Sequence, residues 1–351
     1  IEIVEANDGH TVCSHVPLEL VVKVLNKFVH IPLIVELGYN VWIELCHEIE
    51  KTSDESKVLP SGLDEGSTEL VETAISADDK MVQASIAASG GAEFVINTLE
   101  DCISDPKLCF KGVKCVFLLC NSNSKVKTVV TNSTNCHKVL MKVVNKHKAN
   151  ASVMEMILRT ILVLCIKNRE IQTAFFTNGM SNAIVASLQY HYTTEKLLIS
   201  YMKTIVGMCL KHEQNQQVFT SEAACKVFNS AINVHMIKGR AAERVLHMYV
   251  SLITNNEVAK CSVLDNGICD IAVELLETPG VSNKLLMAAY TTIPLFLMTS
   301  WGSHRAMVIQ VRDALIRNKD KVTNNEVKRV LLYALSKLNE SEKVVVKFRL
   351  A

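Results

Sequence analysis

Between Thr194 and Leu210 the apolar side chains fall at three- and four-residue steps: Leu197, Leu198, Tyr201, Met202, Ile205, Val206 and Cys209. That spacing places them on one stripe of a helix. Just upstream, "REIQTAFF" and "NAIVASLQ" carry shorter helical patterns, with Asn178-Gly179 between them. Neither short stretch can hold a helix alone in water. The glycine permits a sharp reversal at positive φ. The pattern therefore predicts a short first helix, a glycine turn, a second helix and a longer third.

The trio recurs along the chain. Asn168 to Gly179, Asn256 to Gly267 and Asp79 to Gly90 each span 11 residues, and Asn123 to Thr134 keeps the spacing without the glycine. Successive starts lie at 79, 123, 168, 212, 256 and 300, a period of 44 or 45. Cys120, Cys165, Cys209, Ile253 and Leu297 keep the same period upstream of these starts. A fixed period of this size predicts a solenoid, in which stacked units bury one another's apolar faces. It favours a single solenoid domain over residues 1–351 instead of the two or three globular domains that length alone suggests.

The period stretches before Asp79. Residues 31–50 read as a first helix, a turn at Gly38 and a second helix, and the polar run 51–67 reads as an inserted flexible loop. Residues 1–28 read as a partial N-terminal cap. The last repeat is expected to end near Leu338, which leaves 339–351 as an incomplete C-terminal repeat.

The order of Asn, apolar pair, glycine, apolar stretch and long helix is carried by Asn168, Phe175, Phe176, Gly179, Ile184, Val185 and Leu188. Asn256, Val263, Leu264, Gly267, Ile271 and Leu275 carry it again. This pattern resembles the armadillo-repeat family over roughly residues 17–340. The resemblance implies an all-α, right-handed armadillo/HEAT-like superhelix of about seven three-helix repeats, whose third helices line a concave groove. It also implies a non-catalytic scaffold or adaptor that holds a protein partner along that groove.

In the family's peptide-binding members, of the importin-alpha and catenin types, the third helix repeats a Trp and, four residues later, an Asn. Here the Asn slot falls at Leu119, Leu164, Met208, Leu252 and Phe296, and the Trp slot near Cys115, Thr160, Thr204, Met248 and Thr292. Neither residue type occurs there, so the resemblance does not extend to binding nuclear-signal peptides. One residue before the Trp slot stand Lys114, Arg159, Lys203 and His247, at spacings of 45, 44 and 44. Lys111, Arg240 and Arg244 are expected beside them. These seven are the candidate partner-binding positions. One basic residue per repeat forms a ladder suited to an acidic or extended partner segment; the competing reading is a solvated outer face. No aromatic residues interleave with the charges, so nucleic acid is not an expected partner.

Composition narrows the remaining classes. Only 13 glycines and 6 prolines interrupt a chain that is 49% hydrophobic, which favours helices throughout. A net charge of +1 gives no global pull toward polyanions, so any charge-based function needs local clustering. The 12 cysteines include no CxxC and several lie in apolar helical runs, which predicts reduced core thiols in a cytosolic protein. The 11 histidines read as scattered, and His10, His15, His30 and His47 lack companions at ligand spacing. "KHEQN" at 211–215 reads as a loop and helix start. No zincin motif, nucleophile elbow or glycine-rich phosphate loop occurs. The expectation is therefore no enzyme, cofactor, metal or small-molecule substrate. No apolar run approaches the ~20 residues that span a bilayer. The expected setting is the cytoplasm, with cytoskeletal or nuclear association as variants. A structural spacer in a large cytoskeletal or ciliary assembly is the alternative function, and exposed apolar residues at Ile31–Leu37 or near the C-terminus would favour it.

Overall fold

The computed structural model describes residues 18–46, 77–297, 304–319 and 321–350, with backbone alone for 341–350 and for Asp78 and Ser133. The expected loop at 51–67 lies outside the described residues, as does most of the expected cap at 1–28. Every regular element among the described residues is an α-helix.

The helices gather into two compact units, Ile1–Met180 and Ser181–Ala351. The first holds α1 (Leu18–Lys27), α2 (Pro32–Leu45), α3 (Ala77–Ala88), α4 (Gly91–Asp101), α5 (Pro106–Cys120), α6 (Ser124–Ser133), α7 (Cys136–His147), α8 (Ala151–Cys165) and α9 (Arg169–Thr177). α10 (Met180–Leu188) opens at the boundary. The second unit continues with α11 (Glu195–Cys209), α12 (Glu213–Phe219), α13 (Glu222–His235), α14 (Arg240–Ile253), α15 (Glu257–Asp265), α16 (Ile268–Glu277), α17 (Asn283–Leu297), α18 (Arg305–Lys319) and α19 (Asn325–Leu350). From α3 to α11, and again from α15 to α17, the order is short, short, long, as the apolar spacing predicts; α13 instead matches α14 at 14 residues, and α18 has 15.

The joints explain the period. The long third helices α5, α8, α11, α14 and α17 end at Cys120, Cys165, Cys209, Ile253 and Leu297, the five periodic positions of the sequence. Each following first helix, where described, opens on a capping side chain. Asn123, Asn168 and Asn256 accept from the amides of Val126, Ile171 and Ala259 at 3.2, 3.1 and 3.0 Å, and His212 accepts from the Asn215 amide at 3.3 Å. These bonds satisfy amides that a helix start leaves unpaired. The residue before each cap, Ser122, Lys167, Lys211 and Asn255, takes a positive φ of 54–57°. The chain thus reverses from third to first helix through one left-handed residue. From first to second helix the reversal falls on Gly90, Gly179 and Gly267, with φ of 85, 79 and 87°.

A polar spine ties successive repeats. The residue four beyond each first-helix start is buried: Gln83, Lys127, Gln172, Gln216 and Lys260. Gln83 donates to the carbonyls of Leu118 and Asn121 at 2.7 and 3.0 Å and accepts from Asn123 at 2.9 Å. The Lys127 ammonium donates to the Ile166 carbonyl at 3.3 Å. Each bond satisfies groups at the joint of the next repeat, where desolvated polar atoms would otherwise be costly.

The histidines are not all scattered. His147, His191 and His235 stand 44 residues apart, each buried just beyond or at the end of a second helix. His147 Nε2 donates to the Ile103 carbonyl at 2.8 Å, and His235 Nε2 to the Tyr192 carbonyl at 2.9 Å. His191 stacks on Tyr201. The expected turn at Gly38 is also absent, and α2 runs through it. A Cβ there would stand 3.0 Å from Phe94 Cε1 and 3.1 Å from the Leu25 methyls. The glycine serves close approach of α2 to α1 and α4, not chain reversal. At the other end, α19 continues without a break past the expected boundary near Leu338.

The third helices pack side by side within each unit. In the first, α5 packs between α2 and α8; in the second, α14 packs between α11 and α17. Buried Leu119, Ile157 and Leu164 in one unit, and Ile205, Leu252 and Ile293 in the other, fill these seams. Each such side chain contributes roughly 1.5–3 kcal/mol through removal from water.

Candidate functional site

The outward faces of the third helices carry the positions singled out from the sequence. The neighbouring Trp-slot residues Cys115, Thr160, Thr204, Met248 and Thr292 are buried between repeats, as are the Asn-slot residues Leu119, Leu164, Met208, Leu252 and Phe296. Thr160 shows the reason: its hydroxyl donates to the Met156 carbonyl at 2.8 Å and to the Val113 carbonyl of α5 at 3.3 Å. These slots belong to the inter-repeat seam here. One residue earlier the helix turns toward solvent, and Lys114, Arg159, Lys203 and His247 are all half-buried.

In the first unit Lys114 sits on α5 and Arg159 on the adjacent α8. The Arg159 guanidinium lies over the Phe117 ring, 4.7 Å from its centroid, so it is braced across the seam by a cation–π contact. Lys111 is engaged otherwise. Its ammonium donates to Glu36 Oε1 at 2.8 Å and to Asn40 Oδ1 at 2.7 Å, and Lys107 reaches the same Glu36 oxygen at 2.8 Å. The two lysines hold the Glu36 carboxyl down at about 2. Lys111 therefore joins α5 to α2, and much of its charge is answered within the unit.

In the second unit Lys203 lies on α11, and α14 carries Arg240, Arg244 and His247 at steps of four and three, one helical face. Arg240 is exposed and Arg244 half-buried. Burial lowers the His247 pKa, with Glu243 opposing and Arg244 reinforcing the shift. Burial disfavours the charged imidazolium, so His247 is a weaker cationic rung than Lys203. Exposed Lys196 and Lys284 lie on the neighbouring α11 and α17 and were not anticipated from the sequence, because they fall at the helix starts and off the ladder position. Glu195 and Glu243 are the acidic residues on these same helices.

The "KHEQN" reading stands: α12 begins at Glu213 with His212 as its cap. Most described cysteines are buried, and Cys261 is exposed. Burial pushes the Cys225 thiol up to about 11 and those of Cys120 and Cys269 to about 12. Among the described residues no three His, Cys, Asp or Glu side chains converge as a metal site would require. No described helix is long and apolar enough to cross a membrane.

No family model matches the chain. No curated protein matches it either. Among solved structures, the chain is similar to the crystal structure of Uso1-2, with a TM-score of 0.67 at 9% sequence identity. The match covers 88% of this chain and 51% of that one, so this chain spans about half the length of its structural neighbour. The likeness is one of fold: all-helical and solenoid-like.

Proposed function

We propose that this chain is a non-catalytic protein-interaction scaffold that holds an acidic or extended partner segment against the outward faces of its third helices. The observation that carries the reading is the recurrence of Lys114, Arg159 and Lys203 at one repeat position, each half-buried at the surface beside slots that are fully buried. Half-buried cations on rigid helices lose little side-chain freedom on binding and act where water is partly excluded. Helical repeats of this kind also present long surfaces without needing a pocket. The finer architecture, a right-handed armadillo superhelix of about seven repeats, belongs to the same proposal, as does a cytoplasmic setting. The test is the triple variant Lys114→Glu, Arg159→Glu, Lys203→Glu. It should still fold, as circular dichroism can check, with a loss of about 0.5–1 kcal/mol where Arg159→Glu removes the cation–π contact with Phe117. It should lose a partner retained by the parent, by several-fold or more at low salt. Equal retention would reduce the ladder to a solvated face.

A second reading, a spacer bound through its ends in a larger cytoskeletal or ciliary assembly, is favoured by one observation. Ile31, Leu33 and Leu37 are exposed near the start of the first unit, and Leu332 and Tyr333 are exposed on α19. Recovery of many proteins of one assembly, unaffected by the triple variant, would support this reading over the first.

A further inference from the structure

Lys196, Arg240 and Lys284 stand 44 residues apart and fall in the first turns of three adjacent third helices, α11, α14 and α17. The core fixes their register. Leu197, Ala241 and Leu285 are buried at one repeat position, Ile205, Tyr249 and Ile293 at another, and Met208, Leu252 and Phe296 at a third. Equal positions therefore lie side by side across both seams. The three cations form one row across the second unit, and all three are exposed. Lys203 and His247 follow seven residues after Lys196 and Arg240, two helical turns along the same face. Half-buried Arg244 lies between, and exposed Lys238 stands just before α14. The acids of these three helices are Glu195 and Glu243, both half-buried. Among the described residues, Arg240, Arg244 and Lys284 take part in no ion pair. A cation in the first turn opposes the helix dipole, so the row does not serve the helices that carry it. It stops at α17. On α19, which packs against α17, buried Val327 and Leu331 match Leu285 and Ala289, and Glu326 takes the place of Lys284.

We propose that this row binds an acidic segment in the polyproline II conformation, with one acid at every third residue. The proposal rests on the scaffold reading above and names the ligand of its second unit. Packed helices lie about 8–10 Å apart, which sets the pitch of the row. A polyproline II chain turns once in three residues and rises about 9 Å per turn, so acids at i, i+3 and i+6 share one side at nearly that pitch. A β-strand sends side chains three apart to opposite faces, so the same acids could not all meet the row. An α-helix with acids seven residues apart reaches the pitch too, but its width of about 10–12 Å would lay it over Glu243 and strip water from that carboxylate. Duplex DNA carries one charge per about 1.7 Å of its axis, far denser than three cations beside two acids can answer. Arg240 in the middle of the row can grip a carboxylate through two parallel N–H donors. The preformed chain also loses little freedom on binding.

The test is fluorescence anisotropy of the full chain with two labelled peptides of equal composition. One repeats Glu-Pro-Pro four times, and the other places the four glutamates together before the eight prolines. At low salt the parent should bind the spaced peptide at least about fivefold tighter than the clustered one. The variant Lys196→Glu, Arg240→Glu, Lys284→Glu should lose at least about tenfold for the spaced peptide, by a margin that shrinks as salt rises. Glutamates in the first turn suit the helix dipole, so this variant should fold, with circular dichroism like the parent's. Arg240→Lys should keep most of the binding. Equal binding of the two peptides, binding of neither, or spaced-peptide binding that the triple variant leaves unchanged each overturns the proposal. Tighter binding of a DNA duplex than of the spaced peptide overturns it too, and assigns the row to polyanions. The scaffold reading is judged separately, by whether the Lys114, Arg159 and Lys203 variant loses its partner.

Discussion

Asn256 Nδ2 donates to Gln216 Oε1 at 2.7 Å across forty residues of sequence, and the same Asn256 accepts from the Ala259 amide to cap α15. One side chain thereby starts a repeat and fastens it to the one before. Asn123 and Gln83 form the same pair at 2.9 Å in the first unit. Asn256→Ala removes the cap and strands a buried glutamine amide, so unfolding by urea should show a loss of about 2–3 kcal/mol. Asn256→Asp keeps a capping oxygen that the Gln216 amide can turn to meet, and should lose less. An Ala variant as stable as the parent would remove this pair from any account of the fold.

Gly267 adopts φ +87°, and a Cβ there would meet nothing closer than 3.9 Å. The cost of Gly267→Val is therefore one of backbone, about 1–2 kcal/mol. Gly38 has the opposite problem: its neighbours at 3.0 and 3.1 Å leave little room for a methyl group. Gly38→Ala should cost about 1–3 kcal/mol through overpacking. Thermal unfolding of both variants checks the assignment, and a neutral Gly38→Ala would show that α2 can shift away from α4 freely.

Glu36 has its carboxyl held at about 2, against an ordinary value of 4.5, by hydrogen bonds from Lys107 and then Lys111. A lowered folded value means that the pairing stabilises the fold above the ordinary value and that this contribution fades as pH falls from about 4.5 toward 2. The melting temperature of Glu36→Gln should therefore lie below the parent's at neutral pH, and the two should converge near pH 2. A gap that stays constant across that window would mean that shape, not charge, sets the role of Glu36.

Burial keeps thiols such as Cys225 and Cys269 protonated well above neutral pH, at about 11 and 12. Native labelling with a thiol reagent, mapped by peptide mass spectrometry, should modify Cys261 before any other described cysteine. All 12 cysteines should react after denaturation. Fast native labelling of Cys120 or Cys165 would mean that the third-helix ends open easily.

The repeat joints were legible because their chemistry leaves residue types in fixed places. Asn123, Asn168 and Asn256 cap, and Gly179 and Gly267 turn, each at the same offset. The polar spine was not legible, since Gln83, Lys127, Gln172, Gln216 and Lys260 share a position but not a residue type. Gln83 and Lys127 donate to carbonyls at the next repeat's joint, Gln83 and Gln216 pair with its cap asparagine, and Gln172 donates back to the Cys165 carbonyl, relations that only packing reveals. His147, His191 and His235 could have been found from the period, but histidine invites a search for metals before one for carbonyls. Gly38 misled because a glycine inside an apolar pattern marks either a turn or a close approach, and sequence does not separate the two. At the ladder, the positions of Lys114, Arg159 and Lys203 were readable from spacing. The engagement of Lys111 was not, because Glu36 lies 75 residues away.

The central claim, that the third helices hold a partner, is tested most directly by lysine cross-linking of the partner-loaded protein, read by mass spectrometry. The account predicts cross-links from the partner to Lys114, Lys196, Lys203 and Lys284 on third helices, and their loss in competition with salt. Cross-links confined to Lys138, Lys142, Lys146 and Lys226, exposed on the second helices α7 and α13, would contradict it.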